Sequence, residues 1–395
     1  MVGTADVVVV GGGVVGASAA FRCAQAGLDV VLLERGEPAG GSSGKPVGGV
    51  RAQFSGAANV ALAARSLAAY HRFAAEMGVD VGLRRTGYLF ALRTSAHVEA
   101  FGRAAVVQHA HGVPSRLLGP AEAARRGVVL RAEALEGAAW SPDDGVACPR
   151  AVVAAYLAAA TALGARVRRG CALLGAEAIP GGRARLRTTA GDVETPVVVV
   201  AAGAWSAGVG RLLGVDLPVR PVRRQIAFAP PAATAALGLP VPPEALPFTI
   251  DQTSCAYWHG DGEGGLLLGW ADPVQAEGED VTVDDGWHAG LRAALAEVAP
   301  ALAGLPLGRG WAGLYEVTPD RDAALGPVRG GLADDGVRVV AATGFSGHGF
   351  LMAPAVGEVV RDLVTGRPPV VDVAGLSPDR LGAAAAAVRT EVAIV

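Results

Sequence analysis

Runs of valine broken by glycine set the rhythm of this chain, and their order predicts a strand, a helix and a second strand at the start. Asp6 to Val10 is a short apolar run that stops at three glycines, the pattern of a buried strand. Val14 to Ala26 has helix-forming composition, Gly27 stands where a helix C-terminal stop is expected, and Leu28 to Leu33 is a second apolar run. Strands joined through a helix lie parallel. Two later runs, Pro196 to Ala202 and Val337 to Ala342, lead into Ala202-Gly203 and Thr343-Gly344 and predict further central strands. Ala151 to Leu163 and Pro354 to Leu363 predict helices, the second with its proline in the first turn.

Between these blocks the texture changes. Residues 85–147 and 220–320 alternate short β-like runs with acidic or proline-rich loops, such as Pro230-Pro231, Pro242-Pro243 and Glu277 to Asp285. They predict a second, mixed domain inserted into the first. On this reading residues 1–84, 148–219 and 321–395 form one discontinuous domain, and 85–147 with 220–320 form a substrate domain. A ligand cleft is expected where the two meet. No solenoid-length repeat and no long charge block interrupts the pattern.

Composition narrows this picture. The 395 residues are 51% apolar and 18% charged, against roughly 25% charged in an average soluble domain, so a large core is expected. A net charge of −3 argues against a nucleic-acid or anionic-membrane partner. Mean hydropathy is +0.37, yet no apolar run approaches the roughly 18 residues of a spanning helix. The first twenty residues lack a basic n-region and carry Asp6 in its place, unlike a signal peptide. Cys23, Cys148, Cys171 and Cys255 are too scattered for a zinc site or a disulfide framework, no metal site is expected, and a reducing cytoplasm is the simplest compartment. Among 34 basic residues Lys45 is the single lysine.

The chemistry concentrates at Gly11-Gly12-Gly13-Val14-Val15-Gly16, a G-x-G-x-x-G directly after a strand and opening a helix. Gly11 makes the tight turn, Gly13 lets the backbone approach a pyrophosphate, and Gly16 permits close helix-to-strand packing. The phosphate charge rests on the helix N-terminus. Glu34, 18 residues past Gly16 and at the end of the second strand, is placed to accept hydrogen bonds from an adenosine ribose. Together they indicate a dinucleotide without saying which; no second fingerprint is found mid-chain for a nicotinamide cofactor.

Five blocks carry a resemblance. They are the fingerprint, Gly41-Ser42-Ser43-Gly44-Lys45 leading to Gly48-Gly49-Val50-Arg51-Ala52-Gln53-Phe54, the strand end Ala201-Ala202-Gly203-Ala204-Trp205, Trp311 to Tyr315 with Thr318-Pro319-Asp320, and Gly344-Phe345-Ser346-Gly347-His348-Gly349-Phe350. In order and spacing the chain resembles the FAD-dependent amine and amino-acid oxidoreductases related to D-amino acid oxidase, glycine oxidase and sarcosine oxidase, most of all the sarcosine oxidase β-subunit and proline dehydrogenase branch. The resemblance implies an α/β fold: a Rossmann-type FAD-binding domain with an inserted mixed β-sheet substrate domain of α+β character. It implies an FAD-dependent oxidase or dehydrogenase that oxidises a C–N bond of an amino acid or secondary amine to an imine. Oxygen or a redox partner then reoxidises the flavin, and the chain is a homo-oligomer or a hetero-oligomer subunit. Oxidation of a 2-hydroxy acid, or service as the flavoprotein subunit of a larger dehydrogenase, are the alternatives.

By the same resemblance the FAD contacts are Gly11, Gly13, Val14, Val15, Gly16, Glu34, Arg35, Ser42, Ser43, Lys45, Gly48, Gly49, Leu173, Ala202, Gly203, Trp205, Gly344, Phe345, Gly347, His348 and Gly349. Arg51, Tyr315 and His348 are the catalytic candidates. Lys45 is either a compact point charge on the cofactor or a chance survivor on a solvated loop. Arg51 is either a fork for the substrate carboxylate or part of a structural ion pair. His348 either tunes the flavin and shuttles a proton or supports a loop whose backbone makes the contact. Tyr315 stands where glycine oxidase has a carboxylate-binding arginine. Three departures stand out: Leu266 to Leu268 replace a strand lysine tied to oxygen reduction, Leu351 replaces another lysine, and Trp311 to Glu316 lacks the flavin-linking cysteine. They imply noncovalent FAD and, through Leu267 and Leu351, a more apolar substrate.

Overall fold

A computed structural model describes residues 3–45, 47–274, 277–382 and 391. At its centre is a six-stranded sheet in the order Ala324–Pro327, Arg338–Thr343, Val197–Val200, Val7–Val10, Val30–Leu33, Arg166–Arg168. Five of these strands run parallel, with Val8 beside both Val198 and Val31. All four valines of Val7–Val10 are buried, and their alternation sorts them into two cores. Val7 and Val9 face helices Val14–Gln25, Pro149–Ala162 and Gly349–Thr365. Val8 and Val10 face a four-stranded sheet that contributes Ala184, Leu186 and Val193. Burial on both faces explains why these strands are continuous apolar runs.

A second, eight-stranded sheet runs Gly308–Val317, Arg220–Ala229, Leu266–Trp270, Ala256–Gly260, Phe248–Asp251, Tyr88–Leu92, Gly137–Ser141, Arg116–Leu118. One face packs Trp258, Leu266 and Leu268 against helix Trp287–Ala296. The other presents Tyr88, Phe248, Ile250, Tyr257 and Ile226. Gly49–Val50 pairs with Gly145–Val146 between the two regions.

Two sequence expectations are corrected. The second strand starts at Val30, because the Asp29 N–H is taken by the Asp6 carboxylate at 2.8 Å. The last long helix starts at Gly349, not Pro354, and carries that proline in its interior. A proline there removes the N–H owed to the Phe350 carbonyl four residues back. The Tyr70 hydroxyl, from helix Ala57–Met77, donates to that carbonyl at 2.6 Å instead. Ser66 from the same helix donates to the Met352 carbonyl at 3.0 Å and accepts from Ala355 N–H at 3.1 Å.

Candidate active site

A cavity of about 1160 Å³ runs between the two sheets. That exceeds the roughly 300–1,000 Å³ of ordinary small-molecule pockets and suits a dinucleotide with a substrate beside it. One end is built by the glycine turn. Gly11 has φ +116°, and a Cβ on it would lie 2.4 Å from the Ala201 carbonyl. Glu34 accepts from the backbone N–H of Gly12 at 2.7 Å and of Gly36 at 2.8 Å, which fixes its carboxylate at the cavity wall. Ser43 Oγ accepts from Val14 N–H at 2.9 Å, over the first turn of the helix. Ser42 Oγ is buried and has no hydrogen-bond partner. A hydroxyl left bare beside a helix N-terminus and a glycine cradle fits a pyrophosphate oxygen.

The other end brings together residues far apart in sequence. Arg51 is 2% exposed, and its guanidinium lies over the rings of Phe54 at 4.1 Å and Phe90 at 5.2 Å. It donates to the Gln53 carbonyl and lies 3.0 Å from His348 Nε2. His348 Nδ1 is 3.2 Å from the Phe345 carbonyl, so Nδ1 carries the proton and Nε2 accepts from Arg51. Burial, and then the Arg51 charge, hold His348 well below the usual histidine range and therefore neutral. Tyr315 packs its ring on Gly347, where a Cβ would come within 2.4 Å. Burial raises the Tyr315 and Tyr257 phenols, which hydrogen-bond one another and stay protonated.

The cavity wall contains most of the residues singled out in the sequence. Gly11, Gly13, Val14, Val15, Glu34, Arg35, Ser42, Ser43, Lys45, Gly48, Gly49, Leu173, Ala202, Gly203, Trp205, Phe345, Gly347, Gly349, Arg51, Tyr315 and His348 all line it. Gly16 and Gly344 lie behind the wall: Gly16 packs on the Gly11 carbonyl, and Gly344 makes a turn at φ +73° beside Thr318. Lys45 donates no ion pair among the described residues; its carbonyl accepts from Trp311 Nε1 at 2.6 Å. Leu351 lines the cavity, but Leu267 does not. In that strand the residue opposite Ile226 and Tyr257 is Gly269, and Leu267 is two positions further along the strand.

Several wall residues carry no motif. Arg224 shares the sheet face of Tyr315, because Val222 pairs with Tyr315 and Arg224 with Gly313. Its guanidinium lies 5.3 Å over the Tyr315 ring, and its Nε is buried without a partner. Neighbouring Arg220 and Arg223 are ion-paired to Glu277 and Asp280. Glu316 also lines the cavity, and burial pushes its carboxyl up to about 7. The alternation Val222, Arg224, Ile226 was the one sequence signal for Arg224. Among the described residues no group of three potential metal ligands exists, and no helix is long and apolar enough to cross a membrane.

A family model described as FAD dependent oxidoreductase (DAO) matches residues 6–363. Glycine oxidase of Geobacillus kaustophilus (strain HTA426) is 29% identical over 384 residues, 95% of this chain and 97% of that protein. Mitochondrial dimethylglycine dehydrogenase of Mus musculus is 26% identical over 96% of this chain but only 44% of its own length, so the chain spans less than half of that relative. The crystal structure of L-proline dehydrogenase from P. horikoshii matches with a TM-score of 0.85 and 29% identity, over 96% of this chain and 98% of that one.

Proposed function

The chain belongs to the FAD dependent oxidoreductase family, and on that premise we propose that it oxidises the C–N bond of an amino acid or secondary amine held by its carboxylate. Gly11, Gly13, Val14, Ser42 and Ser43 hold the pyrophosphate, Glu34 the ribose, and Lys45 with residues 345–349 the ring end of a noncovalent FAD. Bound there, FAD supplies the two-electron acceptor for a hydride leaving the substrate carbon.

The observation that carries the substrate reading is the pair of arginines. Arg51 is committed to the Gln53 carbonyl and His348 between two phenyl rings. Arg224 has a bare, buried Nε and sits over Tyr315 in the cavity. Its Nη1 donates to the Arg223 carbonyl at 3.1 Å, and a guanidinium with Nε still bare beside two protonated phenols suits a carboxylate. Arg224, Tyr257 and Tyr315 therefore bind and orient the substrate. Arg51 holds His348, whose two nitrogens are both engaged, so His348 supports the Phe345 loop and does not shuttle a proton in the reaction. Phe248, Ile250 and Leu351 exclude water from the reacting carbon.

Anaerobic bleaching of the flavin with L- and D-amino acids, cyclic imino acids, N-methyl amino acids and 2-hydroxy acids tests this. Bleaching by an amino or imino acid is expected, and Arg224→Met should raise its KM roughly 10- to 100-fold, the range for a lost hydrogen bond to a charged group. Bleaching by hydroxy acids alone, or an unchanged KM in Arg224→Met, would sink the reading.

A further inference from the structure

One exposed segment, residues 277–286, is tied down in a way that substrate binding does not require. It belongs to the region of the eight-stranded sheet and is anchored on strand Arg220–Ala229. Gly278 N–H donates to the Pro221 carbonyl at 2.9 Å, Val222 bridges Glu277, and Arg223 holds both Asp280 and the Thr282 carbonyl at 3.0 Å. Arg220 pairs with Glu277. From that anchor Glu279 reaches over the cavity to Trp205, at the end of a central strand of the other sheet, and accepts from its indole N–H at 2.7 Å. Trp205 is itself built into the cofactor end. The Arg35 guanidinium, next to Glu34, stacks on its ring at 4.1 Å, and a Cβ on Gly41 would lie 2.9 Å from that ring.

We infer that residues 277–283 form a strap across the dinucleotide cleft and that Glu279 is a positioning residue for cofactor retention, acting through Trp205. Firm anchoring on one side, with one hydrogen bond across to the other, is the arrangement of a segment that swings from its anchor once the crossing bond breaks. Its sequence suits this: the segment is acidic and almost wholly exposed, so little apolar burial opposes opening. The inference rests on FAD occupying the cleft.

The test is stopped-flow measurement of FAD association with the apoprotein and of FAD release from the holoprotein, followed by flavin fluorescence. Glu279→Ala and Trp205→Phe each remove the crossing bond and should speed release roughly five- to tenfold, as expected for one hydrogen bond. They should speed association as well, because a gate obstructs traffic in both directions. Glu279→Gln keeps an acceptor for the indole and should stay within about twofold of the parent at low salt. Faster release with unchanged or slower association would mean ordinary damage to the site and would overturn the strap. So would equal rates in all four proteins, or Glu279→Gln behaving as Glu279→Ala. Failure of the parent apoprotein to take up FAD at all would sink the cofactor reading instead.

Discussion

Asp144 is fully buried, with one carboxylate oxygen accepting from Ala52 N–H at 3.1 Å and the Ser141 hydroxyl beside the carboxylate. Burial pushes its pKa from 3.8 up to about 7, against the pull of the Ala52 N–H, the Ser141 hydroxyl and the Arg51 charge. Its folded pKa thus lies above the unfolded one, so the native chain keeps a proton that the unfolded chain releases. The resulting stability is fully present below about pH 4 and is lost as pH rises through about 7. Asp144→Asn keeps the acceptor for Ala52 and abolishes the titration. Between pH 5 and pH 8 the parent should lose up to about 3 kcal/mol relative to Asp144→Asn, read from urea midpoints at each pH. Parallel curves for the two proteins would show that Asp144 is already ionised at pH 5. In the sequence this carboxyl, in Ser-Pro-Asp-Asp-Gly, is indistinguishable from a solvated turn residue. Only the tertiary fold buries it.

Helix Gly349–Thr365 shows what an element can conceal. Its proline reads as a helix start in the sequence, because proline is common there, and only the fold supplies the second helix that replaces the missing bond. Tyr70 and Ser66, one turn apart on helix Ala57–Met77, bracket the break. Removing the Tyr70 hydroxyl should leave the Phe350 carbonyl buried without a donor, at a cost of about 1–3 kcal/mol. Tyr70→Phe is therefore expected to lower the urea midpoint. Adding Pro354→Ala, which restores an N–H for Phe350, should recover most of that loss. Additive effects of the two substitutions in a double-mutant cycle would contradict this account. The first helix needed no such partner. Its N-terminus follows a strand and three glycines, all local signals, and it spans Val14–Gln25 within one residue of the sequence reading.

At the scale of the whole molecule, legibility follows sequence distance. The proposed dinucleotide end is assembled from residues 11–16, 34 and 41–45, near one another in the chain, and its glycine spacing is a local signal. The proposed substrate end draws on residues 88, 224, 248, 257 and 315, which come from five strands of the eight-stranded sheet and line one wall only once that sheet has assembled. Apart from the alternation Val222, Arg224, Ile226, no local pattern marks Arg224 or Tyr257, because each strand contributes only a few residues to the wall. Bound as proposed, the cofactor would bridge the two sheets, and this has a thermodynamic signature. A ligand that binds only the native state stabilises what it touches, by about 2.7 kcal/mol at 100 times its Kd. On the proposed assignment ADP would meet only the wall around Gly11, Glu34 and Ser43, whereas FAD would also meet the wall formed by strand Gly308–Val317. Calorimetry of the apoprotein should resolve two unfolding transitions. ADP at 100 times its Kd should raise one of them, and FAD at the same multiple should raise both and draw them together. If ADP moves both transitions as far as FAD does, the two sheets unfold as one unit and the cofactor does not couple them.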